Sequence, residues 1–214
     1  LYSKADHIML GSPSFKQYFE DVLKMDVSNT SFVPQPSLIE ATDCETHNYE
    51  GGFNILYCGN LGRIQLIPLI CETMKEVKNK DVKFHIIGMG PMEERLVKSI
   101  KENQLDDRVI YHGPIPAKKA ASYFKGADAL YISLSKEGYV GKTIPNKLMM
   151  SMVFAKPLLT VLDGDGKDVV LQAKGGINSS EDPKEIAKAI EPLAAMPLEE
   201  RKKLGDNNQA YYRD

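Results

Sequence analysis

From residue 53 to residue 193, short apolar runs alternate with segments of helical spacing, and this alternation limits what the chain can fold into. Phe53-Asn54-Ile55-Leu56-Tyr57-Cys58 reads as a buried strand that stops at Gly59, and Leu66, Ile70, Met74 and Val77 then recur on one helix face. The unit repeats. Val82 to Ile87 runs into Gly88 and precedes a face of Met92, Leu96 and Ile100; Arg108 to His112 runs into Gly113-Pro114 and precedes a helix over Ala117 to Gly126. Ala129 to Leu134 is followed, after a loop, by a helix over Pro145 to Ala155, and Pro157 to Leu162 by a short helix from Lys167 and a weak strand at Gly176-Ile177. Asp182-Pro183-Lys184-Glu185 opens a further helix, with Asp as N-cap, Pro in the first turn and Glu completing it. Strands that alternate with amphipathic helices pair in parallel and need cover on both faces. Right-handed crossovers then give an α/β, Rossmann-like, doubly wound parallel sheet over residues 53–195.

The flanks lack this rhythm. Residues 1–36 hold a strand-like stretch (Asp6 to Leu10) and a helix-like one (Ser14 to Leu23), too little for a core, and read as the tail of a preceding domain. Residues 37–52 are polar from Glu40 and end in Gly51-Gly52, the pattern of a connector or an exposed, mobile loop. Residues 196–214 read as a polar helix. The chain opens at Leu1 without Met, so we expect a piece of a longer protein. Lys and Arg number 27 against 29 Asp and Glu, a net charge of −2 that gives no global field for nucleic acid. No apolar run approaches the roughly 20 residues of a membrane span. Three cysteines without a C-x-x-C pair suggest neither a disulfide framework nor a zinc site, and a reducing compartment is the expectation.

Ligands of open α/β sheets meet the carboxyl ends of the strands, so the turns after the strands hold the candidates. Gly59-Asn60-Leu61-Gly62-Arg63 offers close backbone approach at Gly59 and Gly62 and a guanidinium fork for phosphate; the plain alternative is a tight turn with a solvated Arg63. Gly88-Met89-Gly90 starts like a dinucleotide fingerprint, but Glu93 occupies the third glycine position and the fingerprint fails. The stiff main chain at Pro114-Ile115 suits the edge of a planar base. The stretch from Glu137 to Lys147 leads into the helix that begins at Pro145, whose free N–H groups and partial positive charge favour an anion, with Lys142 and Lys147 adding full charges; the plain alternative is a surface loop. Gly141-Lys142-Thr143 mimics the end of a Walker A motif whose first glycine falls on Lys136, so that motif fails too. Asp163-Gly164-Asp165-Gly166-Lys167 lacks the spacing of a calcium loop and reads as a glycine-rich turn facing a ligand. His85 lies inside a strand and reads as structural.

Taken in order, FNILYCGNLGR, VKFHIIGMGPMEERL, RVIYHGPIP, ADALYIS and IPNKLMMSMVFAKPLL resemble the C-terminal, donor-binding half of GT-B fold, retaining, sugar-nucleotide-dependent glycosyltransferases. The turn variants look most like bacterial enzymes of capsule, O-antigen and exopolysaccharide synthesis. The resemblance implies a nucleotide diphosphate-sugar donor with UDP as the expected nucleotide, and a glycan or lipid-linked acceptor held by an N-terminal domain. It implies no metal or other cofactor, and cytoplasmic work, with peripheral association at the inner membrane face open to the full-length protein. It places Gly59, Asn60, Gly62, Gly88 and Gly90 near the nucleotide, Pro114 and Ile115 against the base, and Lys142, Thr143, Ile144 and Pro145 beside diphosphate and ribose. Arg63 and Lys147 become the phosphate-facing cations that carry catalysis. There are departures: Asn60 and Gln65 stand where many relatives carry Arg and Lys, Met150 where they carry a ribose-binding Glu, and Lys142 where that Glu has its partner. A thioether cannot accept the hydrogen bonds of ribose hydroxyls as a carboxylate does. These departures motivate an alternative, an inactive glycosyltransferase-like subunit that serves as a binding or assembly partner.

Overall fold

The strand Phe53–Cys58 (β3) is apolar on both faces of its pleat except at Asn54, and it lies in the middle of a sheet. A computed structural model describes residues 2–37 and 44–214. After β3 the chain runs through Ile67–Glu76 (α2), Val82–Ile87 (β4), Glu93–Glu102 (α3), Val109–Tyr111 (β5) and Ala117–Gly126 (α4). It continues through Ala129–Ser133 (β6), Asn146–Met152 (α5), Leu158–Val161 (β7), Gly164–Ala173 (α6), Gly176–Asn178 (β8), Pro183–Ala195 (α7) and Leu198–Arg213 (α8). Six parallel strands lie in the order β5-β4-β3-β6-β7-β8. The chain thus moves outward from β3 to one edge, returns, and moves outward from β6 to the other. This is the expected doubly wound α/β domain.

Alternation along the strands feeds two apolar layers. Ile55, Tyr57, Phe84 and Ile86 pack with Ile67, Ile70 and Met74 of α2, Leu96 of α3 and Ile186 and Ile190 of α7. Leu56, Leu130 and Ile132 pack on the other face with Phe124 of α4, Leu148 of α5 and Val170 of α6. The last helix, α8, lies against α5 and α6 and is tied down by Arg201, whose Nη1 donates to Asp128 at 2.9 Å, and by the buried Asn208 amide, which donates to the carbonyls of Lys156 and Gly175. Ahead of this domain, Ile8–Leu10 (β1) and Thr30–Phe32 (β2) form a separate parallel pair around Phe15–Asp21 (α1).

Three readings of local structure change. The segment Asp163 to Lys167 is the start of a helix, and Asp163 and Lys167 line a cavity of about 310 Å³ there. Gly164 already begins α6, with Asp163 at its N-cap and Asp165 in its first turn, where carboxylates suit the positive end of the helix dipole. Asp165 Oδ2 accepts the Ser14 amide at 2.7 Å, which ties this end to the N-terminal segment. The connector is no free loop over its described part: the His47 amide donates to Ser122, the Tyr49 hydroxyl to Tyr123 and the Lys125 ammonium to Cys44, binding residues 44–49 to α4 as a strap. The rest of that stretch, residues 38–43, lies outside the described residues. Finally, α5 stops at Met152 and not at Ala155, because Ala155 reverses the chain in the left-handed region at φ 51°.

An L-residue in that region costs roughly 1–2 kcal/mol, which glycine avoids while losing some backbone entropy on folding. Ala155→Gly is therefore expected to stabilise the domain by about 1 kcal/mol, a rise of about 2–4 °C in a thermal melt. An unchanged or lowered melting temperature refutes this account of the α5 terminus.

Candidate functional site

The order of the strands fixes where a crevice opens. The β3–α2 connection leaves toward one edge of the sheet and the β6–α5 connection toward the other, so the carboxyl ends of β3 and β6 bound a gap that no crossover helix fills. The two connections are stitched together at its floor. Ser133 Oγ donates to the Gln65 carbonyl at 2.6 Å and the Ser135 amide to the Ile64 carbonyl at 2.7 Å.

A cavity of about 560 Å³ opens at this point. Cys58 and Gly59 from the end of β3, Gln65 from the turn, and Pro145, Lys147 and Met150 around the start of α5 form its walls. Gln35, Pro36 and Ser37 of the preceding link close another side. The half-buried Lys147 reaches over the end of β3. Its Nζ donates to the Tyr57 hydroxyl at 2.8 Å, stands 4.4 Å from the Tyr57 ring centroid, and lies 3.2 Å from where a Cβ on Gly59 would be. Burial holds the Lys147 pKa down at about 8, with the Cys58 thiol partly opposing it. Burial in turn pushes the Cys58 thiol up to about 11, against the pull of the Lys147 ammonium, so it is a neutral wall group at ordinary pH. The Tyr57 phenol is pushed far up by burial and stays neutral.

The residues singled out from the sequence do not all meet here. Gly59, Pro145 and Lys147 line the cavity. Arg63 is exposed and lines a different hollow, of about 860 Å³, between α2 and α3 beside Arg95 and Glu72. The two cations placed on one phosphate site thus face separate cavities: the turn carries Arg63 outward past Gly62, while α5 carries Lys147 back over β3. Lys142 is exposed and its ammonium sits 5.8 Å from the Tyr139 ring, away from the cavity wall. The Thr143 hydroxyl donates to the Val140 carbonyl, and the Ile144 amide donates to Ser12 Oγ at 2.7 Å, so that amide already has a partner. Pro114 is exposed, and Ile115 packs on the layer of α4 and α5.

Gly88 and Gly90 have a structural reason to be glycine. They stand at φ 144° and 155°, and a Cβ on Gly88 would collide with the Gly59 carbonyl, one on Gly90 with Asn60 and the Leu61 carbonyl. The Leu61 amide donates to the Met89 carbonyl and the Met92 amide to the Leu61 carbonyl, both at 2.9 Å, which clamps the two turns together. Asn60 borders this clamp, its Oδ1 beside Gly90 and its carbonyl accepting the Tyr57 hydroxyl at 2.6 Å, while a Cβ on Gly62 would meet Gln65 and Asn60 of its own turn. Tyr57 is the residue that sequence reasoning missed. Its signal was a polar-tipped aromatic at the end of a buried strand, just before a glycine turn. Gln65 and Met150, found in the sequence as departures, both line the cavity. Among the described residues no group of three His, Cys, Asp or Glu side chains could hold a metal ion, and no helix is long and apolar enough to cross a membrane.

Comparison with known proteins bears on the family and the fold. A family model described as glycosyl transferases group 1 matches residues 52–196. WbjE of Pseudomonas aeruginosa, named as a glycosyltransferase, is 30% identical over 148 residues, covering 66% of this chain and 36% of that protein. WcaL of Escherichia coli K12, named for colanic acid biosynthesis, is 26% identical over 184 residues, covering 84% of this chain and 43% of that protein. The chain therefore spans less than half the length of these two curated relatives. Among solved structures, HepE of Anabaena, in complex with UDP and glucose, superposes with a TM-score of 0.79 at 13% identity, over 97% of this chain and 58% of that one. This likeness shows the fold, that of GT-B glycosyltransferases.

The Lys147 ammonium has a testable signature. Its folded pKa of about 8 lies below the ordinary 10.5, so between these values the unfolded chain holds a proton that the folded chain has released. This group's contribution to stability therefore rises with pH across that window. Urea unfolding at pH 8 and pH 10 is expected to show the wild type gaining stability relative to Lys147→Met as pH rises. Parallel pH dependence in the two proteins would contradict a desolvated Lys147.

Proposed function

Because this chain belongs to the glycosyl transferases group 1 family, we propose that it is the donor-binding half of a retaining transferase that takes a UDP-sugar. One observation carries the proposal: a desolvated ammonium, Lys147, aimed into a cavity at the strand-order switch of the sheet. About 560 Å³ falls within the roughly 300–1,000 Å³ of small-molecule sites. In sugar transfer, the bond between the anomeric carbon and the diphosphate oxygen breaks and its electron pair stays on that oxygen. The acceptor hydroxyl oxygen forms the new bond and releases its proton. Negative charge grows on the leaving diphosphate, and a positive group already held partly out of water stabilises it with little reorganisation. In this reading Lys147 supplies that positive group.

The acceptor is proposed to bind outside the domain of residues 53–195, in the part of the relatives that this chain does not span. The name of WcaL supports cell-surface polysaccharide synthesis as the setting. A second reading, an inactive binding or assembly subunit, is favoured by Met150, which brings a thioether to the cavity wall.

Calorimetric titration with UDP separates the two. Losing a hydrogen bond to a charged group costs about 1.5–3 kcal/mol, so Lys147→Met is expected to weaken UDP binding about 10- to 100-fold while its circular dichroism matches the wild type. Equal affinity in the two proteins would remove Lys147 from the site. No UDP binding by the wild type would favour the inactive subunit. The present chain alone is expected to transfer no sugar, and turnover by the purified chain would overturn the placement of the acceptor site.

A further inference from the structure

Lys147 does not stand alone at the cavity: its ammonium rests on one side chain that reaches it from the opposite apolar layer. We propose that Tyr57 is the positioning residue of the anion site, holding the Lys147 ammonium in place and in its charged form at the end of β3. This rests on the donor-site reading above and names the group through which that site keeps its charge.

The geometry leaves Tyr57 one role at each atom. Its hydroxyl donates to the Asn60 carbonyl at 2.6 Å, which uses its single proton. The same oxygen must therefore accept from Lys147 Nζ at 2.8 Å. The ring meets the same ammonium through its π face, with the centroid 4.4 Å away, a contact that favours a cation and gains strength where water is excluded. The ring cannot drift: Tyr57 is fully buried among Ile67, Ile70 and Met74. Nor can the hydroxyl ionise, since burial holds the phenol neutral. Tyr57 thus links α5, which supplies the charge, to the turn at Asn60, which follows β3.

Among the described residues no carboxylate faces Lys147 to offset its burial. The other titratable group that touches its environment is the Cys58 thiol of β3, which stays neutral until pH approaches 11. Gln65 from the turn and Met150 from α5 are uncharged. A dipole and a ring face are therefore what keep the ammonium charged near neutrality. Met150 and Cys58 could not replace them, since neither presents an aromatic face or a strong acceptor.

The test reads the Lys147 titration by NMR of a selectively labelled lysine, without nucleotide, so that it stands or falls independently of UDP. Tyr57→Phe keeps the ring and removes the acceptor. The Lys147 midpoint is expected to fall about one pH unit below that of the wild type. UDP affinity should then be about threefold weaker at pH 7.5 and nearly equal to wild type at pH 6, where both ammonium groups are charged. A residue that merely filled the core would weaken binding at both pH values and leave the midpoint where it was. An unchanged midpoint in a folded Tyr57→Phe protein overturns the proposal. If that variant does not fold, the wild type decides: the Tyr57 Cζ resonance is expected to titrate with the Lys147 midpoint, and a Tyr57 signal that ignores the Lys147 titration overturns the proposal as well. A shifted midpoint without any UDP binding would support the positioning role and sink only the donor-site reading.

Discussion

A parallel sheet that starts in its middle must be wound twice, and that constraint governs the rest of this molecule. Once β3 pairs with β4 on one side, the chain can complete the other half only by crossing back to lay β6 along β3's free edge. Right-handed crossovers then put α2 and α3 on one face and α4 and α5 on the other. The connections that follow β3 and β6 diverge, and the space between them stays open to a ligand. The residues that matter chemically are those that end these two strands or begin the helices after them. Tyr57 and Lys147 are such a pair, one from each apolar layer, meeting over the strand end.

Charge in that space is set by a balance of desolvation against local dipoles. Pulling an ammonium partly out of water lowers its pKa, and the protein holds it by an aromatic face and a hydroxyl instead of a carboxylate. The choice has a consequence for ligand binding. A carboxylate partner would neutralise the lysine before any anion arrived, whereas a phenol leaves its full charge available. The soft, uncharged wall of Cys58 and Met150 works in the same direction, because it excludes water without competing for the cation.

The fold could be read from the sequence because its signals are local. Apolar runs ending at glycine, and faces such as Leu96 and Ile100 or Ile186 and Ile190, report burial through periodicity over a few residues. The site could be read only in part, because proximity across elements leaves no such trace. Arg63 and Lys147 look equivalent along the chain, yet the turn after Gly62 and the axis of α5 aim them at different hollows. The Gly88 and Gly90 turn looks like a ligand cradle, but its glycines are demanded by the neighbouring turn at Gly59 to Leu61. Polarity misled in the connector, where His47 and Tyr49 are held on α4 through stacking and hydrogen bonds that no local pattern announces. It misled again at Asp163 to Lys167, where the two carboxylates and glycines belong to the start of a helix and not to a turn.

The segment ahead of the sheet shows how the two parts of the chain share one surface. Ser12 and Ser14 are joined to the stretch before α5: Ser12 accepts the Ile144 amide and Ser14 donates to the Lys142 carbonyl. Tyr18 meets Tyr139 edge-on with ring centroids 5.1 Å apart. The same segment leads through Gln35, Pro36 and Ser37 into the cavity wall opposite Lys147. The loop that presents Lys147 is thereby braced from outside the sheet, and the link between the two parts forms one wall of the space that Lys147 charges.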